Sequence, residues 1–352
     1  MQSVITKEQL DRARALRDLS DPGSGPHAMQ LIVHEIGRAL ERLWSSPVLV
    51  HRSNAIVTVR ENYEVLGYPE AAPAREARYT RYLDGGRLLR THMTAAVPGA
   101  LRDHARNERS DLVVACPGLV YRRDVVDRLH VGEPHQLDLW RVRRGTPLTA
   151  ADLDAMVAAV VSAALPGARH RTLPATHPYT TEGREVEVEV DGHWVELLEC
   201  GLAGRHVLRA GGLDPAEWSG LALGLGLDRA LMLRKGIADI RLLRSADPRV
   251  AGQMLDLEPY RPVSAMPPTR RDLSIAVAAD LTAEELGDSI RERVEPGALE
   301  AVERIGLRPG QKNVLVRLVL RHPTRTLTAE EANRTRNAVY AAIHQGDVHQ
   351  WA

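Results

Sequence analysis

The stretch "SGLALGLGLDRALMLRKGIADIRLL", Ser219 to Leu243, sets three glycines, Gly220, Gly224 and Gly226, ahead of an Asp228-Arg229 pair and a helix-like run. A glycine-rich turn from strand to helix first suggests a phosphate cradle. A dinucleotide fingerprint, however, needs G-x-G-x-x-G with an acidic residue about twenty positions on. Here Gly226 is followed by Leu227, Asp228 and Arg229, so the third glycine is missing. The chain has no G-x-x-x-x-G-K-[ST] either, and its only lysines are Lys7, Lys235 and Lys312. The stretch belongs to some other architecture.

Outward from it the pattern is that of a mixed antiparallel α+β protein. "REVEVEV" and "HWVELLECG" alternate with period two and lead into the opening stretch, as paired strands do. Short β-rich runs broken by polar turns precede them, interrupted by one helix from Thr149 to Leu165. Further upstream, "HAMQLIVHEIGRALERLW" places Met29, Leu31, Ile32, Ile36, Leu40 and Leu43 at helical spacing. A first short helix, "KEQLDRARALRDL", is closed by the breaker from Asp21 to Pro26. The strict β-α alternation of a doubly wound sheet is absent.

Near Pro262 to Pro268 the texture changes, and "RPVSAMPP" reads as an extended linker. After it come a strand "RDLSIAVA", a helix opened by a Thr282/Glu285 capping box, strands "LEAVERIGL" and "NVLVRLVLRH", a helix opened by Thr328 and Glu331, and a last strand "DVHQWA". This β-α-β-β-α-β order is the split βαβ, ferredoxin-like plan. The expected domains are a helical segment over 1–26, a catalytic domain over 27–258 and a ferredoxin-like domain over 259–352.

Composition excludes several classes. Lysine plus arginine and aspartate plus glutamate both number 46 in 352 residues, so no bulk positive charge draws nucleic acid, and any RNA contact must be local. Cys116 and Cys200 stand apart with no metal-ligand spacing, as expected for a reducing compartment. The first 26 residues carry Glu8, Asp11, Asp18 and Asp21 and no apolar core, and no apolar run reaches membrane-spanning length. A cytoplasmic protein with no membrane partner is the expectation.

The segment "GLVYRRDVVDRLHVGEPHQLDLW", Gly118 to Trp140, carries the chemistry. A strand ending in Arg122-Arg123-Asp124, a loop with His130, and a returning strand with His135, Gln136 and Asp138 gather cations and hydrogen-bonding groups on one hairpin. Guanidinium groups bind phosphate bidentately and keep their charge. An isolated R-R-D on a hairpin would be read as a solvated face.

Together with "LLRTHMTA" (Leu88 to Ala95), "WVELLECGL" (Trp194 to Leu202) and "GLALGLGLDR" (Gly220 to Arg229), the hairpin resembles the catalytic core of phenylalanyl-tRNA synthetase, a class II aminoacyl-tRNA synthetase. "PPTRRDLSIAV" and "RHPTRTLTAEEANRTRNAV" resemble that family's ferredoxin-fold anticodon-binding domain, and the joining of both parts resembles the monomeric mitochondrial type. The resemblance implies ATP and Mg²⁺ as cofactors, an amino acid and a tRNA of the phenylalanine type as partners, and a monomer. It places Arg122 and Arg229 on the phosphates as catalytic cations, with Asp124, His130 and Gly226 near ATP and Glu196 as a metal ligand. His92, Thr94, Gln136 and Asp138 are offered to the amino acid's ammonium, Asp138 replacing the usual glutamate. Leu221 and Leu223 fall at the side-chain pocket.

The departures concentrate on that pocket. G-F-A-F-G has become Gly220-Leu221-Ala222-Leu223-Gly224, F-H-Q has become Pro134-His135-Gln136, F-P-F-T has become Leu173-Pro174-Ala175-Thr176, and L-G-C-G has become Leu198-Glu199-Cys200-Gly201, with a new carboxylate. The chain contains no phenylalanine at all, beside eight tyrosines and five tryptophans. Either the pocket is remodelled for another substrate, or the changes belong to a chain-wide loss of phenylalanine. The second is favoured as the cause, as in an accessory enzyme working beside a toxic phenylalanine analogue; equal misincorporation of the analogue with and without the enzyme would sink that idea. Two other functions stay open: a ligase passing an activated amino acid to a carrier protein or metabolite, and a non-catalytic regulator that binds tRNA or amino acid.

Overall fold

Every residue from Leu112 to Leu119 is buried in the strand Asp111–Leu119, and in the neighbouring strand His135–Arg144 burial runs unbroken from Leu137 to Val142. Strands buried on both faces need a covering layer on each. The computed structural model supplies both layers. It describes residues 4–105, 109–122, 128–264, 266–277, 286, 289–290, 293–294, 299–307, 313–322 and 325–345. The chain divides into two compact units, Met1–Tyr260 and Arg261–Ala352.

In chain order the helices of the first unit are α1 (Lys7–Arg14), α2 (Ala28–Trp44), α3 (Val59–Asn62), α4 (Val97–Ala105), α5 (Ala150–Ala164), α6 (Arg205–Ala210), α7 (Leu227–Lys235) and α8 (Pro248–Ala251). Its strands are β1 (Val48–Val50), β2 (Ile56–Thr58), β3 (Tyr82–Leu83), β4 (Arg87–Leu89), β5 (Asp111–Leu119), β6 (His135–Arg144), β7 (His170–Pro174), β8 (Thr180–Val190), β9 (His193–Ala203) and β10 (Trp218–Gly226). Seven of them form one sheet in the order β1-β5-β6-β10-β9-β8-β7. Only β1 and β5 run parallel; the other pairs are antiparallel.

The two-residue period sorts this sheet into a front and a back. Gln136, Asp138 and Trp140 of β6 pair with Gly226, Gly224 and Ala222 of β10 and share the front; Leu137, Leu139 and Arg141 pair with Leu225, Leu223 and Leu221 on the back. The helices α2 and α5 cover the back: the Arg141 guanidinium lies 4.2 Å from the centroid of Trp44 at the end of α2, and α5 packs on β9, β10 and α2. Both helices follow from sequence. Ile32, Ile36 and Leu40 stack at four-residue spacing on the buried side of α2, and Thr149 with Asp152 closes a capping box on α5. On the front, Trp140 and Ala222 pack with Val97 and Leu101 of α4 and Val207 and Leu208 of α6. Toward Gly226 this packing gives way to a cavity.

The second unit has strands β11 (Thr269–Ala276), β12 (Leu299–Leu307) and β13 (Asn313–Leu320), paired antiparallel in the order β11-β13-β12, and the helix α9 (Ala329–Ile343). Leu273, Ile275, Val316 and Leu318 form its core with Val339 and Tyr340 of α9, which opens on the expected Thr328/Glu331 capping box. The Thr282/Glu285 box and the final strand over 347–352 lie outside the described residues. Among the described residues no helix is long and apolar enough to cross a membrane.

Candidate active site

The cavity at the open end of the front face measures about 410 Å³, and nine of the twelve residues singled out from the sequence line it together: Arg122, His130, Gly226, Arg229, Glu196, His92, Thr94, Gln136 and Asp138. Strand register explains the convergence. Glu199, Gly224, Asp138 and Cys116 stand side by side on β9, β10, β6 and β5, one row across the front. A methyl group added at Gly224 would come no closer than 3.7 Å to the Asp138 carboxylate, so the glycine leaves a gap between two acidic side chains rather than a packed contact.

One end of the cavity is cationic. Arg122 lies three residues beyond the end of β5 at Leu119, not on the strand as its sequence suggested, because its N–H pairs with the Gly132 carbonyl across the loop. Its Nε donates to the Thr91 carbonyl at 2.9 Å, which aims the guanidinium; among the described residues its terminal nitrogens carry no hydrogen bond. Arg229, in the first turn of α7, donates from Nη1 to the Glu196 carbonyl at 3.0 Å and stands 3.6 Å from the Glu196 carboxylate. Beneath them Asp228 is buried and accepts from both the backbone N–H and the ring Nδ1 of His135. Burial alone would push Asp228 up, but His135 outweighs it and holds the carboxyl below its ordinary value. The Leu19 N–H donates to His135 Nε2 at 3.0 Å, so the imidazole is fixed with its proton on Nδ1.

The other end is acidic and aromatic, and the charge of Arg122 reaches it, acting on His92, Tyr68, Tyr179 and Glu199. Asp138 is fully buried, and loss of solvent raises its pKa to about 7 against the pull of hydrogen bonds from Trp140 and Thr94. Beside it, Gln136 accepts the Met93 N–H at 3.1 Å. His92 has two buried ring nitrogens without a well-aligned partner; burial lowers its pKa to about 3, with only the Asn62 backbone pulling upward. A run of rings continues from it: Tyr68 stacks on His92 at 5.5 Å, Tyr179 lies 6.5 Å from Tyr68, and His177 stacks on Tyr179 at 5.6 Å. His177 Nε2 lies 3.3 Å from Glu199 Oε1. That bond holds the Glu199 carboxyl below its usual range despite partial burial.

Three expected residues are not in this picture. Leu221 and Leu223 belong to the back face, 0% and 1% exposed, because the period of β10 turns every odd position toward the helix layer. Asp124 lies outside the described residues. The stretch Leu173–Thr176 does not line the cavity, and Leu173 is exposed on β7; just after it Tyr179 faces the cavity, with His177 stacked against it. Tyr68 carried one faint signal, the Gly67 before it. At φ 84°, Gly67 lets the chain pass so close to the Pro178 carbonyl and His206 that a Cβ would clash with both at 2.9 Å.

Residues 25–254 match the family of tRNA synthetases class II core domain (F), and residues 264–347 match the ferredoxin-fold anticodon binding domain. The chain belongs to the class II tRNA synthetase core family, with an appended ferredoxin-fold domain. The phenylalanine–tRNA ligase alpha subunit of Prochlorococcus marinus (strain MIT 9313) is 38% identical over 56% of this chain and 57% of its own. That of Aromatoleum aromaticum is 33% identical over 67% and 73%. A pyrrolysyl-tRNA synthetase from Desulfitobacterium hafniense overlaps 68% of this chain and 78% of its own, at 20% identity and a TM-score of 0.49. The chain thus spans little more than half the length of the first of these relatives. Their name, alpha subunit, lends no support to the expectation of a monomer.

Proposed function

We propose that the chain is a phenylalanine–tRNA ligase-like aminoacyl-tRNA synthetase, which activates an α-amino acid with ATP and transfers it to a tRNA of the phenylalanine type. The observation that carries the reading is the convergence of Arg122 and Arg229 with Asp138, Gln136 and Thr94 on a single cavity. Phosphates need fixed cations, an α-ammonium needs a carboxylate, and the two must lie within one amino acid's length.

In the first step the amino acid's carboxylate oxygen attacks the α-phosphorus of ATP, a phosphorus–oxygen bond to the pyrophosphate breaks, and pyrophosphate leaves. Arg122 neutralises charge gathering on the α-phosphate, and Arg229 holds the outer phosphates; His130 and the Gly226 backbone sit where the nucleotide would lie. In the second step a ribose hydroxyl of the tRNA attacks the acyl carbon and AMP departs. No protein nucleophile takes part. Positioning and electrostatics supply the rate.

Among the described residues no cluster of three metal-ligating side chains occurs. Glu196 is a half-exposed carboxylate beside Arg229, with Glu187 as its cross-strand partner. That suits a magnesium ion held mainly by phosphate oxygens with one protein carboxylate, which would add further charge neutralisation when bound. The ferredoxin-fold unit would contact tRNA through local shape and single-stranded bases, since the chain's charges balance.

Amino-acid-dependent ATP–pyrophosphate exchange tests the first step, and transfer of labelled amino acid to tRNA tests the second. Exchange that disappears in Arg229→Ala supports the reading. Exchange without transfer points to a carrier-protein or metabolite ligase, and no exchange with any amino acid overturns the enzyme.

A further inference from the structure

The sheet row that forms the cavity floor holds two carboxylates where one would serve an amino acid's ammonium. Resting on the adenylation reading, we propose that the amino acid selected here carries a second cation on its side chain, an ammonium or a guanidinium. Asp138 takes the α-ammonium and Glu199 takes the side-chain cation.

The geometry comes from the strands. Asp138 and Glu199 are both cross-strand partners of Gly224, on opposite sides of it. Neighbouring strands lie about 4.8 Å apart, so their Cα atoms are about 10 Å apart with no side chain between them. An extended basic amino acid lying over Gly224 would set its α-ammonium on Asp138, whose Oδ2 comes within 3.7 Å of a Cβ built at Gly224, and its terminal cation on Glu199. His177 occupies only Oε1 of Glu199, and among the described residues Oε2 has no partner.

The surroundings agree with the row, apart from Arg122, whose charge already acts on Glu199. Tyr68 and Tyr179 line the same end, and burial keeps both phenols protonated. Aromatic faces beside a carboxylate favour a cation over a neutral group. A phenyl ring in that place would strip water from the Glu199 side chain, which is 43% exposed, and leave its carboxylate with His177 alone; desolvating a charge without a new hydrogen bond is costly. A side-chain cation instead completes a charge-assisted pair.

The test uses the full chain. ATP–pyrophosphate exchange is measured with lysine, ornithine and arginine against phenylalanine, tyrosine and leucine, and the thermal shift produced by each amino acid is measured without ATP. A cationic amino acid is expected to give the highest kcat/KM and the largest shift. Glu199→Gln should lower that kcat/KM by about 10- to 100-fold, mostly through KM, while an ATP-induced thermal shift persists and shows that the variant is folded. Glu199→Gly should move the preference toward leucine and phenylalanine. Two results overturn the proposal: a neutral amino acid exchanging better than every cationic one, or a folded Glu199→Gln variant with unchanged preference. Failure of the adenylation reading looks different. In that case no amino acid supports exchange, yet a cationic one still shifts the melting temperature in a Glu199-dependent manner, and the selectivity stands. Neither exchange nor shift with any cationic amino acid overturns it.

Discussion

The two ends of the cavity were built by the same strands and yet differ in how they are held. The phosphate end is pinned from outside the sheet: Arg122 by the Thr91 carbonyl, Arg229 by the Glu196 carbonyl, and α7 through Asp228 and His135 to the N-terminal segment at Leu19. The amino-acid end is set by strand register, with Asp138, Gly224 and Glu199 in one row, and its carboxylates are held by side chains, Asp138 by Trp140 and Thr94 and Glu199 by His177. Groups that meet developing charge are tied to backbone carbonyls, whereas the carboxylates that choose the substrate are held by neighbouring side chains. Substitutions should therefore abolish chemistry at the first end and alter selection at the second.

The largest expected effect is at the phosphate end. Arg122→Ala should lower the exchange rate by about 100- to 1,000-fold, the cost of losing one preorganised charge donor, with the amino acid's KM nearly unchanged. A comparable rise in KM with kcat intact would place Arg122 in substrate binding and erase the contrast. At the other end Gly224→Ala should raise the amino acid's KM by about tenfold, as one methylene in a specificity pocket does. Its stability should hold within about 0.5 kcal/mol, because the added methyl meets nothing closer than 3.7 Å. Thermal melting and exchange on the same preparation check both halves.

The same contrast governs what the sequence disclosed. Arg122 and Arg229 were legible because each sits in a short contiguous motif, "VYRRD" and "GLGLDR", whose chemistry is local. The helices α2 and α5 and the strands β8 and β9 were legible from period and caps. Tyr68 and Tyr179 were not, since they reach the cavity from two loop-borne positions whose meeting depends on Gly67 passing beneath Pro178. Leu221 and Leu223 were placed at the pocket for want of a phase. Period two says that alternate residues of β10 share a face, but only pairing with β6 tells which face meets the substrate.

A pH series sharpens the amino-acid end. The Asp138 carboxyl titrates near 7 when folded and near 3.8 as its ordinary value. Between those values the folded state binds a proton that the unfolded chain has released, so this group's contribution falls as pH rises, by up to about 1.4 kcal/mol per pH unit. His27 and His92 act oppositely: burial lowers them to about 4 and about 3, so from pH 6.5 downward the unfolded chain takes up protons that the native ones refuse. Two histidines outweigh one aspartate below 6.5, and Asp138 alone acts just above it. Stability of the first unit should peak near pH 6.5, and Asp138→Asn should remove the decline on the alkaline side. In exchange assays the wild-type KM for the amino acid should fall as pH rises through 7 and Asp138 ionises. A KM independent of pH in both proteins would take Asp138 out of ammonium binding.

The smallest effect on selection is expected from the positions that most resemble a pocket in sequence. Leu221 and Leu223 are 0% and 1% exposed on the back of β10, against the helix layer. Phenylalanine at either place adds volume to a packed core, which should cost about 1–3 kcal/mol in unfolding free energy, and it leaves the front row of Glu199, Gly224 and Asp138 in register. Leu223→Phe should therefore lower the melting temperature while the ratio of kcat/KM between any two amino acids stays within about twofold, well under the change that one methylene inside a pocket produces. A larger change in that ratio, with the melting temperature unmoved, would mean that this side chain faces the cavity after all and that the row assigned to the substrate is the wrong one.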